Sequence, residues 1–392
     1  MNVTPGRRPD STRDGRGLHP RRHGSVRQPP GWRKLDQRPM SARLARVQDA
    51  GPARAVPAVG SMPSVRIDNA QVHFQLAGGE RGPVITFLNG LTQNANLWTA
   101  YADYFGPRGY RVLAYDMLGQ GRSSKPVIDI PLAAHADLLD GLLTELGIRK
   151  THLAGISFGG VIALDFAIRY GHRLDSLVAM STFAELTPQL EFLGTVMLQG
   201  LIDVGFPYMQ TMLYPLNMSS AWIAANRERI PAMKRSGYIG NDGYAMQNLM
   251  ESFVTFQPLT PDLHQIAVPT LLLNGEFDFF TPRECHDLIR TRIANSRLVI
   301  VQHAYHAFTL ELPAVTMRQI EVFLAQVRDG SWVGDQSVWA AAEDPKARVQ
   351  WLPLLGDWRR AVQVAAVRPV RATASPAARR SGGRSPARLA AP

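Results

Sequence analysis

The 392 residues are 45% hydrophobic and 19% charged and carry a formal net charge of +11. The excess sits at the ends: residues 1–61 hold 13 Arg/Lys against 4 Asp and residues 329–392 hold 10 against 5, while residues 62–328 hold 20 against 23. That distribution excludes a basic nucleic-acid-binding core, the single cysteine Cys285 excludes an internal disulfide framework, and no run of 18 apolar residues predicts a membrane span.

From Met1 to about Ser61 the chain is Arg, Pro, Gly and Ser with isolated hydrophobes, too little apolar surface to offset the entropy of ordering it. A disordered basic N-terminal extension is expected over 1–61. Trp32 is its one aromatic residue able to stack on a base, so no nucleic acid is expected as a partner. No apolar stretch follows either Arg7-Arg8 or Arg21-Arg22, which argues against a secretory signal and points to a cytoplasmic protein.

Residues 64–77 alternate about Asp68-Asn69 and predict an antiparallel hairpin. A buried strand over 83–88 ends at Asn89-Gly90-Leu91, a helical stretch carries Trp98, Tyr101 and Phe105, and a second strand runs over 110–115. A helix over 132–146 precedes the segment that organises the chain, residues 151–167, where an apolar strand breaks at Gly155-Ile156-Ser157-Phe158-Gly159 and resumes with helical spacing. Further strands are predicted over 175–181, 269–274 and 297–301, with helices from Arg283 and over 313–327. Strands separated by helices at this spacing imply a mostly parallel sheet covered on both faces, with functional loops at the carboxyl ends of the strands. Between about 183 and 257 the alternation stops, and an apolar, helical pattern holding seven of the 13 methionines reads as an inserted cap. Past 328, Trp332, Trp339, Trp351 and Trp358 suggest a short docking helix over part of 329–392, followed by a disordered tail.

A serine on a sharp strand-to-helix turn is held strained and exposed, and the residues two before and two after it crowd together, so both must be small. Gly155 and Gly159 meet that need around Ser157. Here the chain resembles the α/β-hydrolase family, in its serine-nucleophile branch with a helical cap, over about residues 63–327. Asp116-Met117-Leu118-Gly119-Gln120-Gly121-Arg122-Ser123 is similar to that family's D-x-x-G-x-G-x-S loop, with Asp116 as a turn-forming carboxylate.

The resemblance implies a triad in the order Ser, Asp, His. Gly275 to Pro282 is similar to the family's G-x-x-D-x-x-T-P turn and makes Asp278 the acid, with Glu276 as the rival; Thr281 before Pro282 reads as a helix N-cap. His306 opens H-A-F-T-L-E-L-P, similar to the family's H-x-x-x-x-E-x-P, and is the expected base, with His303 as the rival. The oxyanion donors are the backbone N–H groups of Phe158 and, by resemblance, Leu91. Asn89 stands where the family usually has histidine, and Asn-Gly there also resembles the 3-hydroxyacyl transferases of the same family. Aspartate-nucleophile dehalogenases and epoxide hydrolases do not fit Ser157.

The resulting expectation is a hydrolase of a hydrophobic carboxylic ester or thioester that works through an acyl-enzyme and needs no cofactor and no metal. A 3-hydroxyacyl transferase and a non-catalytic ligand receptor on the same scaffold are the alternatives. Its partner is a small hydrophobic acyl substrate, because Phe192, Leu193, Met197, Leu201, Met209, Met212, Leu213, Met218 and Trp222 give the cap flexible apolar walls. The oligomeric state stays open.

Overall fold

The structure, a computed structural model, describes residues 63–127 and 130–341 and the backbone of 351–353. The expected basic extension over 1–61 and Trp358 with the tail that follows it lie outside the described residues.

Ten strands form one sheet among the described residues, in the order β1-β2-β4-β3-β5-β6-β7-β8-β9-β10. They are β1 Ser64–Ile67, β2 Ala70–Ala77, β3 Val84–Leu88, β4 Arg111–Tyr115, β5 Thr151–Ile156, β6 Leu174–Met180, β7 Thr270–Gly275, β8 Ser296–Val301, β9 Val338–Ala341 and β10 Trp351–Pro353. β1 and β2 pair antiparallel about Asp68-Asn69, as the alternation predicts, and β2 joins β4 antiparallel. From β4 through β3 to β9 every pairing is parallel.

The helices are α1 Thr99–Phe105, α2 Leu132–Glu145, α3 Phe158–Arg169, α4 Pro188–Asp203, α5 Phe206–Asn217, α6 Ser220–Ala225, α7 Ile230–Gly240, α8 Gly243–Glu251, α9 Arg283–Arg290, α10 Phe308–Glu311 and α11 Pro313–Asp329. Parallel strands covered by helices on both faces are buried throughout and lose the polar alternation of a half-exposed strand. β3, β5, β7 and β8 are buried at every position. Their period of two instead sorts the side chains between two cores. Leu153, Leu177, Leu272 and Leu298 join one with α2 and α3, while Ala154, Val178, Leu271, Leu273 and Val299 join the other with Trp98, Phe105 and Phe323.

Between β6 and β7 the chain leaves the sheet for α4 to α8. Three of these helices open on a side-chain cap: Thr187 accepts from the Leu190 N–H at 3.2 Å, Ser219 from Trp222 at 3.1 Å and Asp242 from Ala245 at 2.9 Å. The apolar faces of α4, α5 and α8 meet in a separate cluster of Met197, Leu201, Phe206, Met209, Leu213, Met246 and Met250 with Phe280 of the sheet domain.

In place of the expected tryptophan-bearing helix, the residues described after 330 form strand β9, which lies between β8 and β10. Val338–Ala341 pairs parallel with β8, and Trp332 and Trp339 pack against the second core. Small Ala340 and Ala341 fit fully buried beside β8, and the Arg297 guanidinium lies over both indole rings. The folded domain therefore runs past residue 328, to Ala341 at least. No helix among the described residues is long and apolar enough to cross a membrane.

Candidate active site

Three strand ends build the site. At the end of β5, Ser157 sits at φ 53° and ψ −117°, a conformation that L-residues rarely adopt and that the surroundings must enforce. Its N–H donates to the Met180 carbonyl at 2.9 Å, and the Thr182 hydroxyl donates to the Ser157 carbonyl at 2.9 Å. The flanking glycines are required by contact: a Cβ on Gly155 would stand 2.3 Å from the Gly159 carbonyl oxygen, and one on Gly159 would stand 2.5 Å from that of Asn89. Ser157 is thereby fixed at the entrance to α3.

Asp278 lies in the turn after β7 and His306 in the loop after β8. A Cβ on Gly275 would stand 2.5 Å from the Tyr305 carbonyl oxygen, so the two loops lie backbone against backbone. His306 Nδ1 is 2.9 Å and 3.0 Å from the two carboxylate oxygens of Asp278. Asp278 also accepts from the N–H groups of Phe280 and Thr281 and from the Thr281 hydroxyl, at 2.9 to 3.0 Å. Burial alone would push its carboxyl up; the adjacent His306 ring and the Thr281 N–H outweigh burial and hold it below the ordinary carboxylate value. Thr281 is therefore not the helix N-cap that its place before Pro282 suggests, because its hydroxyl is directed to the acid.

Ser157, His306, Phe158 and Leu91 all line one cavity of about 450 Å³ beneath the cap, so the structure brings the predicted nucleophile, base and oxyanion donors to a common space. The two rivals are elsewhere. His303 is exposed, its N–H donates to Glu276 at 2.8 Å and its ring stacks on Phe277.

Several supporting residues escaped the sequence. The Gln120 amide donates to the carbonyls of Gly90 and Leu91 at 2.8 and 2.9 Å. Because the Leu91 N–H belongs to the same trans peptide plane as the Gly90 carbonyl, fixing that carbonyl toward Gln120 aims the N–H the other way. Asn89 is absent from the cavity lining: buried below the loop, its amide donates to the Tyr115 carbonyl at 2.9 Å and accepts from the Trp98 indole at 2.8 Å. Asp116 is the expected turn former, accepting from Ala95 and Arg122 N–H groups, both at 2.8 Å. His286 Nε2 accepts from the Thr182 N–H at 3.1 Å, backing the residue that holds Ser157. Accepting there requires the neutral ring, and burial lowers its pKa to about 4. No periodicity marks His286, which reads like any helix residue. The Cys285 thiol is buried, and burial with the Glu284 charge pushes it up to about 12, which leaves it inert at neutral pH. No group of three or more His, Cys, Asp or Glu among the described residues could hold a metal ion.

A family profile described as alpha/beta hydrolase fold matches residues 83–313. A protein of Caulobacter sp. (strain K31), provisionally named a carbamate hydrolase, RutD, is 27% identical over 244 residues, which cover 60% of this chain and 88% of that protein. A hydrolase from Pseudomonas aeruginosa PA01 has a crystal structure that covers 68% of this chain and 99% of its own, with 25% identity and a TM-score of 0.59. The enol-lactonase from Burkholderia xenovorans LB400 covers 67% of this chain and all of its own with a TM-score of 0.62; at 20% identity that likeness concerns the fold alone.

Proposed function

The chain belongs to the alpha/beta hydrolase fold family, and from that premise we propose that it hydrolyses a hydrophobic carboxylic ester or thioester through an acyl-enzyme on Ser157. The observation that carries the proposal is the two-oxygen contact of Asp278 with His306 Nδ1, on a ring that shares its cavity with a strained serine. An unassisted hydroxyl is a weak nucleophile at neutral pH and needs a base oriented by a third group. With Nδ1 donating to Asp278, Nε2 carries the lone pair and can take the Ser157 proton as Oγ attacks the scissile carbonyl. Asp278, whose carboxyl stays ionised, stabilises the imidazolium that forms.

The N–H groups of Leu91 and Phe158 face the oxygen where negative charge develops. His306 returns its proton to the leaving alkoxide or thiolate, and water then attacks the acyl-enzyme by the same proton path. Leu190, Leu193, Met197, Leu198, Leu213 and Met250 give the cavity an apolar wall suited to a hydrophobic acyl body.

Asn89 gives acyl transfer no support beyond hydrolysis, because its side chain is engaged below the loop and takes no part in the cavity. The test offers the protein short aryl esters, 3-hydroxyacyl thioesters and, following the name of its relatives, an aryl carbamate, with products identified by mass. Free acid from the esters is the expected result. A new ester or thioester would assign a transferase, and no product from any donor would leave a binding protein.

A further inference from the structure

The cavity wall is apolar except for a few side chains, and most of those are engaged. Gln93 Oε1 accepts from the Gly90 N–H at 2.7 Å, and the Thr195 hydroxyl donates to the Glu191 carbonyl at 3.0 Å. Asn217, the last residue of α5, is different. Its Oδ1 is shielded from solvent and has no hydrogen-bond partner among the described residues. A buried amide oxygen without a donor is unfavourable, and such groups in native proteins call for an explanation.

The backbone around Asn217 is fixed by the loop that carries His306 and by α10, which follows it. The Asn217 carbonyl accepts from the Ala307 N–H at 3.1 Å, and Glu311 accepts from the Ser219 N–H at 3.2 Å. This is the place where the cap is fastened to the residue next to His306. An amide held there lies in the wall of the cavity that Ser157 and His306 share, where an aliphatic residue would satisfy packing without an orphaned oxygen.

We infer that Asn217 is a specificity determinant that accepts a hydrogen bond from a hydroxyl or N–H carried by the substrate close to its scissile carbonyl. The substrate class narrows accordingly, from any hydrophobic ester to one whose apolar body bears such a donor. This rests on the serine-hydrolase reading above. A site built to pair with a substrate donor rejects the analogue lacking it, because the protein group is then left buried and unpaired.

The test compares three 4-nitrophenyl esters, of butyric, hydroxybutyric and methoxybutyric acid, on the wild type and on Asn217→Leu. The ratio of kcat/KM for the hydroxy ester over the plain ester is expected to fall about tenfold in the variant, the fold-change of one neutral hydrogen bond. The methoxy ester keeps the oxygen without the donor and should show no preference in either protein. An unchanged hydroxy-to-plain ratio overturns the inference. Binding of the free hydroxy acid and the plain acid, measured by calorimetry on both proteins, gives the same comparison without turnover. Failure of the wild type to cleave any ester would thus count against the hydrolase reading, while calorimetry still decides the role of Asn217. Melting temperatures are recorded, and Asn217→Ala replaces the leucine variant if that one does not fold.

Discussion

The loops at the strand ends and the cap above them are built on opposite plans. At the strand ends backbone packs on backbone: a Cβ added at Gly155, Gly159 or Gly275 would meet a carbonyl oxygen at 2.3 to 2.5 Å, and the Asp278 carboxylate accepts from three donors in its turn. In the cap, α6 and α7 bury no residue at all, and Phe192, Ile239 and Tyr244 stand exposed. Its own cluster is rich in methionine, which adapts to irregular gaps. The lower layer is fixed by contacts that tolerate no added atom, the upper by contacts that can slide. The function proposed above puts chemistry on the first and substrate range on the second.

The sharpest way to test that division is to remove the reacting groups. Ser157→Ala and His306→Ala should each lower kcat by about 10⁴- to 10⁶-fold, and the double variant should fall no further, because residues that act as a unit do not add. His303→Ala should stay near wild type, since His303 lies outside the cavity. Loss of turnover in His303→Ala with retention in His306→Ala would reassign the base.

The next effect falls on the same layer through packing alone. Gly159→Ala places a Cβ 2.5 Å from the Asn89 carbonyl oxygen, inside contact distance, and backbone cannot yield as a side-chain tip would. The expected cost is about 3 kcal/mol, at the upper end for overpacking, read as a fall in the denaturant midpoint at constant slope. A change under about 0.5 kcal/mol would show that the elbow is as adaptable as the cap.

How much of this was legible in the sequence follows the same division. The elbow, the acid turn and the base loop obey local rules: small residues two before and two after Ser157, a carboxylate in a Gly-to-Pro turn, a histidine after the last parallel strand. Those rules leave their mark on consecutive residues, so the fold and the positions of Ser157, Asp278 and His306 could be read directly. Gln120, His286 and Asn217 act on partners 29, 104 and 90 residues away. Nothing in their neighbours marks them, because only the folded sheet and cap bring the partners together. The strand at Val338–Ala341 is not legible as one for a related reason, since tryptophan and alanine fit either element and the pairing with β8 and β10 decides.

A pH titration separates the layers by charge. His286 and His135 are both completely buried, and burial lowers each pKa from 6.5 to about 4. Between those values the unfolded chain binds protons that the folded chain refuses, so stability is lost as pH falls from 6.5 toward 4 and is fully present above it. Each contributes about 3 kcal/mol if the whole shift is realised, so the two together contribute at most about 6 to 7 kcal/mol. Asp278 adds to the loss at the acid end, because its depressed carboxyl contributes stability that fades as it protonates. No described histidine of the cap is involved, so the fall should accompany global unfolding and should be halved in His135→Phe. A flat profile from pH 7 to 4 would mean that water reaches both rings.

The smallest effect is expected on the cap surface, and its smallness is the point. Tyr244 is 81% exposed near the start of α8, on the side away from the buried Ala245, Met246, Leu249 and Met250. Exposed side chains away from caps and networks change stability by less than about 0.5 kcal/mol when replaced. Tyr244→Ser should therefore shift the melting temperature by no more than a degree or two. Met250, four residues from Met246 on the buried face, lines the cavity, so Met250→Ala removes wall as well as packing. That variant should lose about 2 kcal/mol and change KM for long acyl chains more than kcat. A Tyr244→Ser variant as destabilised as Met250→Ala would mean that the outer face of the cap is covered in solution, and the contrast between a tight lower layer and a loose upper one would have to be drawn with that cover in place.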